Sequence, residues 1–299
     1  MASPPLRVRC RQIRDEDEDA VINLLLKARF GGDHAFWADA LKRLARHPTP
    51  AGFPKYGYLL EVNGVPAGML LLISSLVPVN GQLKVRCNVS SWYVFPAFRA
   101  YASILARHAL RHKEATYFNI SPTLPTTEIL AAQGYTRYCD GHFIAVPALS
   151  LRGMGARVEP ISPAIMPGAG LSLEEIGLLY AHLRYGCISV VVSIGGRRYP
   201  FVFEPMTRLR VLRFAHLAYS PSIKDFVRFA GPLGRFLARR GIAFVVLDAN
   251  GAVPGLVGHY RQATPKYFRG PDRPRLGDIA YSERDVLGLR FPPDVGTED

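Results

Sequence analysis

The residues with the clearest capacity for chemistry lie in Val94-Phe95-Pro96-Ala97-Phe98-Arg99-Ala100-Tyr101-Ala102-Ser103-Ile104-Leu105, where a β-rich run ends in a proline turn and an arginine opens an apolar-periodic helix. Unpaired backbone N–H groups and the helix dipole both favour an anion at such a start. A phosphate-bearing cofactor is therefore expected there. The main-chain amides of Arg99, Ala100, Tyr101, Ala102 and Ser103 would grip it, assisted by the Arg99 guanidinium and the Ser103 hydroxyl. In Cys139-Asp140-Gly141-His142, Asp140 and His142 could act as general bases by chemistry alone. A surface turn explains the same residue types as well. Cys10, Cys87, Cys139 and Cys187 are scattered without a C-x-x-C pair, so they read as reduced structural thiols and signal no metal.

These residues need a frame. Leu6 to Ile13 alternates in character and predicts a first strand. An acidic run, Asp15 to Asp19, then starts a helix carrying Val21, Ile22, Leu24 and Leu25, and a second helix is predicted over Asp33 to His47. Asn63-Gly64 between apolar runs predicts a hairpin. Lys84 to Val94 reads as the next strand and Phe98 to His112 as the helix after it. The stretch 151–170 is rich in glycine and proline and reads as a linker. Beyond it, Ser172-Leu173-Glu174-Glu175 is a capping box. Ser189–Ile194 and Tyr199–Phe203 flank Gly195-Gly196 as a hairpin, Leu209–Ala218 is a strand, Ile223–Arg240 a helix and Ile242–Leu247 a buried strand. Gly231-Pro232-Leu233-Gly234 lacks the lysine and spacing of a phosphate-binding P-loop and predicts a kink.

The junction resembles the GNAT-type acyltransferase superfamily, whose pattern there runs roughly V-x-P-x-x-R-G-x-G-x-G. Val94, Pro96 and Arg99 match, Ala100 and Ala102 take two glycine positions, and Ile104 takes the third. Tyr117 to Pro122 and Thr126 to Tyr135 resemble the family's fifth strand and following helix. The resemblance, over roughly residues 6–148, implies that acyl-CoA binds between a splayed fourth strand and the next helix. A main-chain N–H near Val94 would polarise the thioester carbonyl. Thr123 takes the place of a cofactor-contacting asparagine, and Asn119 could pair with cofactor amides or make an internal bond. Asn88 falls where many relatives carry a glutamate base; an amide could only orient the nucleophile or a water. Leu130 replaces a frequent tyrosine acid.

The second half repeats the helix, hairpin, strand, helix, strand order of the first. The expectation is an α/β protein of two tandem GNAT-like domains, 1–150 and 171–299, joined by 151–170. Each would hold a mixed, mostly antiparallel sheet flanked by helices, the second domain being more degenerate. The corresponding function is transfer of an acyl group from acyl-CoA, acetyl or longer, to an amine or hydroxyl on a small-molecule or glycan acceptor, without a metal. A non-catalytic acyl-CoA-binding module and an aminoacyl-tRNA-dependent transferase are the rivals. The net charge of +13 suits phosphates, but the basic residues are overwhelmingly arginine, which genome composition also produces. No aromatic-interleaved basic ladder argues for nucleic acid. No apolar run reaches the roughly 20 residues of a membrane span and Met1–Pro5 carries no secretory segment, so a cytoplasmic location is expected.

Overall fold

The computed structural model describes residues 6–79, 81–208 and 212–289; Met1–Pro5 and the expected strand start at Leu209–Val211 lie outside the described residues. The chain forms two compact units. The first takes the residues up to Asn119 with Arg269–Asp272 and Tyr281–Gly288; the second takes Ile120–Phe268 with Arg273–Ala280 and Leu289.

In the first unit, β1 (Val8–Gln12), β2 (Gly57–Val62), β3 (Val65–Val79), β4 (Gln82–Val94) and β5 (Thr116–Asn119) lie side by side in that order. All neighbours are antiparallel except β4 and β5. Asn63 and Gly64 turn the β2–β3 hairpin at φ 53° and 80°, the left-handed pair that a two-residue turn between twisted strands requires. Arg11 on β1 holds both carboxylate oxygens of Asp17 at 2.6 and 2.7 Å and Glu61 of β2 at 2.8 Å. That clamp fixes the entry to α1 (Glu18–Ala28), which buries Val21, Ile22, Leu24 and Leu25. The Asp33 carboxylate accepts from Phe36 N–H at 2.8 Å and starts α2 (His34–Arg46). Trp37, Leu41 and Leu44 of α2 are buried, each worth about 1.5–3 kcal/mol. The α3 helix (Ala102–Ala109) brings His108 onto the Tyr58 ring, 5.7 Å between centroids.

The second unit begins its helices with α4 (Leu124–Ala132) and α5 (Leu173–Arg184), the latter capped reciprocally by Ser172 and Glu175 as expected. Its strands are β6 (Thr136–Ala145), β7 (Arg157–Pro160), β8 (Ile188–Ile194), β9 (Arg197–Arg208), β10 (Leu212–Tyr219), β11 (Phe244–Ala249) and β12 (Gly258–Arg269). They run in the order β12-β6-β11-β10-β9-β8-β7. Only β10 and β11 pair in parallel. The stretch 151–170 thus contributes β7 to this sheet. The expected helix 223–240 is broken at Phe229 into α6 (Ile223–Arg228) and α7 (Ala230–Ala238). Gly231 and Gly234 serve close packing rather than an anion. A Cβ on Gly231 would lie 2.4 Å from Ser150 O, and one on Gly234 would lie 2.2 Å from Ala148 N. Phe201, Phe203, Phe226, Phe229, Val245 and Leu247 share one core on this helical face. The last helix, α8 (Glu283–Val286), belongs to the first unit, where Arg43 donates to the Val286 and Leu287 carbonyls at 3.0 and 2.6 Å. Each sheet is mixed, mostly antiparallel and flanked by helices, the α/β architecture expected.

Candidate functional site

In the first unit the parallel ladder of β4 and β5 is short, pairing Arg86 with Thr116, Cys87 with Tyr117 and Asn88 with Phe118. Beyond Asn88, β4 runs on to Val94 and the two strands open into a fork. A bulge bends β4 inside that stretch: Leu71 pairs with Ser90 and Met69 with Tyr93, while Ser91 takes φ 49°. At the vertex Asn88 is fully buried. Its Nδ2 donates to Phe118 O at 3.2 Å, and its Oδ1 accepts from Glu283 N–H at 2.6 Å. One step outward, Asn119 Nδ2 donates to Val89 O at 3.2 Å, so an internal bond engages this side chain.

Val94 is buried at the end of β4, and Phe95 leads into a 3-10 turn, Pro96–Tyr101, with proline at its first position. Arg99, Ala100 and Tyr101 lie in that turn, while Ala102 and Ser103 open α3. The regular helix thus starts four residues later than expected, because the tight turn absorbs the first amides: Phe98 N–H donates to Phe95 O at 2.8 Å, and Ala102 N–H donates to Arg99 O. Arg99, Ala100 and Ser103 are exposed, Tyr101 and Ala102 partly buried. Ile104, at the third glycine position of the family pattern, is partly buried in α3. Trp92, within the fork, has an indole Nε1 shielded from solvent with no hydrogen-bond partner among the described residues.

No protein-family model matches the sequence, and no curated protein sequence matches it. Solved structures do. A GCN5-related N-acetyltransferase from Anabaena variabilis superposes at TM-score 0.58 with 12% identity, covering 88% of this chain and 72% of that one. Eis1 from Mycobacterium abscessus gives 0.53 with 13% identity, over 91% and 74%. A glucosamine N-acetyltransferase region in a fungal multi-domain β-N-acetylglucosaminidase gives 0.56 with 12% identity, over 89% and 38%. This chain has the GNAT fold.

The remaining residues singled out in the sequence belong to the second unit. Thr123 caps α4 with its Oγ1 2.7 Å from Thr126 Oγ1. Asp140 and His142 lie in β6 and not in a surface turn. Gly141 between them is dictated by strand packing, since a Cβ there would lie 2.3 Å from Arg261 O of β12. Asp140 pairs with Arg137 and accepts no long-range partner in its carboxylate pair, while its N–H donates to Asn250 Oδ1 at 2.7 Å.

His142 joins a cluster that sequence reasoning missed. Its Nε2 is 3.5 Å from Asp248 Oδ1 of β11. The same oxygen meets His216 Nε2 of β10 at 3.1 Å and Lys266 Nζ of β12 at 2.5 Å. Burial alone would raise the Asp248 carboxyl, but Lys266, His216 and His142 outweigh it and hold it well below the usual carboxylate range. The three nitrogens and this oxygen come from four strands. The β10–β11 pair also forks in GNAT fashion, its ladder ending at His216 and Val246, so His216 takes the register place that Asn88 has in the first unit. The junction that follows β10 is covered. Ser220 N–H donates to Gly277 O at 2.9 Å, Tyr219 bridges to Asp278, and Ser222 caps α6 by accepting from Asp225 N–H at 3.0 Å. Burial pushes the Cys87 thiol up to about 12 and Cys139 up to about 11, which suits inert, reduced thiols.

Proposed function

We propose that the first unit binds acyl-CoA along the fork between β4 and β5, and that the protein transfers the acyl group to an amine or hydroxyl acceptor. The observation that carries this reading is the fork itself. In a GNAT fold, a ladder ending at Asn88–Phe118, a bulged strand running on to Val94 and a proline turn opening α3 are the parts between which a CoA arm lies. Arg99 and Ser103 are exposed at the turn and would hold the pyrophosphate, with main-chain amides of Ala100, Tyr101 and Ala102 completing the grip. The amides at the Ser91 bulge and Val94 are the ones that would polarise the thioester carbonyl. The cofactor supplies the activated acyl group; the chain binds and orients it. Chains of this organisation read as tandem GNAT-like domains, the second lacking the arginine junction.

The burial of Asn88 favours a second reading. With both ends of its side-chain amide engaged, it ties β4 to β5 and to α8 and leaves no base at the vertex, as a non-catalytic acyl-CoA-binding protein would allow. One experiment separates the two. Native mass spectrometry of the purified protein with acetyl-CoA should show a complex that Arg99→Glu abolishes, and free-thiol detection across amine and hydroxyl acceptors should show turnover. Binding without turnover on any acceptor would establish the second reading. No complex at all would overturn both.

A further inference from the structure

We propose that the indole N–H of Trp92 donates a hydrogen bond to an amide carbonyl of the pantetheine arm of acyl-CoA, so that Trp92 is a side-chain binding residue of the first unit's fork. This rests on the acyl-CoA reading above. A buried donor without a partner costs about 1–3 kcal/mol and calls for an explanation. Trp92 Nε1 is such a donor among the described residues, whereas Trp37, the other tryptophan, donates its Nε1 to Gly31 O at 2.8 Å.

The register says which way Trp92 faces. Tyr93 pairs with Met69, its ring meets Phe95, and Lys27 of α1 lies over Phe95, so Tyr93 belongs to the α1 face of the sheet. Trp92, adjacent in the strand, alternates to the opposite face, that of Val94 and Leu70. Leu70 pairs with Tyr58, which His108 of α3 touches. The orphan donor therefore lies on the α3 side of β4, between the fork vertex at Asn88 and the arginine turn. Four residues of strand put it about 13 Å from the vertex, along the path of an extended arm whose phosphates would rest at Arg99. An indole N–H is neutral, which matches a neutral amide carbonyl better than a phosphate; the phosphate has a guanidinium available.

Trp92→Phe keeps a ring in place and removes the donor. Calorimetric titration with acetyl-CoA and with CoA should show both binding about tenfold more weakly than to the wild type, the loss of one net hydrogen bond. The melting temperature of the unliganded variant should stay within a degree or two of the wild type, because no protein partner is lost. The wild-type-minus-variant emission spectrum isolates Trp92 and should change on adding either compound. Equal affinities in wild type and variant would overturn the proposal while leaving the acyl-CoA reading in place. Weakening confined to acetyl-CoA would move the contact to the thioester and overturn the pantetheine assignment. Failure of the wild type to bind either compound would remove the acyl-CoA reading and this proposal with it.

Discussion

Asp248→Asn is the most informative perturbation of the second unit. The carboxylate is 2% exposed and is the shared partner of Lys266, 3% exposed, and His216, 1% exposed. An amide there keeps the shape but leaves the Lys266 ammonium buried without a counter-ion. Breaking one side of a buried pair costs about 3–5 kcal/mol. At about 2–4 °C per kcal/mol for units of this size, the melting temperature should fall by roughly 10 °C. The sign with pH follows from the depressed Asp248 carboxyl. In the wild type its contribution is fully present above the unfolded value of about 3.9 and is lost as pH falls toward the lower folded value. Urea unfolding followed by circular dichroism between pH 7 and pH 3 should therefore show a wild-type advantage that is constant above about pH 5 and shrinks below about pH 4. Adding Lys266→Met to Asp248→Asn should recover much of the loss, a non-additivity that a double-mutant cycle reads directly. A loss under about 1 kcal/mol, or a gap that does not narrow in acid, would refute the ionic account of the cluster.

Other outcomes follow from local geometry. Gly177→Ala, in the interior of α5 with nothing within 4 Å of its added Cβ, should stabilise the protein by about 0.5–1 kcal/mol in chemical unfolding. Gly234→Ala should do the opposite by about 1–3 kcal/mol or more, because its Cβ meets the Ala148 backbone; equal behaviour of the two variants would contradict the packing described for α7. Ser172→Ala should cost about 1 kcal/mol through loss of the α5 cap, and an unchanged denaturation midpoint would count against that cap.

What could be read from the sequence was local. The Asn63-Gly64 turn, the Ser172–Glu175 box and the proline that closes β4 each act through a few neighbouring residues, so their residue types announce them. The GNAT fold followed from their order along the chain. The cluster around Asp248 was illegible because His142, His216, Asp248 and Lys266 come from four separate strands, and only strand register brings them to one oxygen. His142 was visible as a candidate base, but its neighbour Gly141 suggested a turn; the glycine answers instead to the close passage of β12. Asn88 was singled out from its place in the family pattern, yet its partner Glu283 lies 195 residues away. The 3-10 start of α3 escaped notice because no residue type distinguishes it from a regular first turn.

The account's central claim is that a coenzyme A thioester is held in the first unit by the fork and the arginine turn. Isothermal titration of the full chain with acetyl-CoA tests it most directly. The prediction is saturable binding of one equivalent per chain, since the corresponding junction of the second unit is closed by Gly277 and Asp278, with the heat abolished by Arg99→Glu while circular dichroism stays unchanged. Absence of heat in the wild type, or binding that survives Arg99→Glu intact, would contradict it.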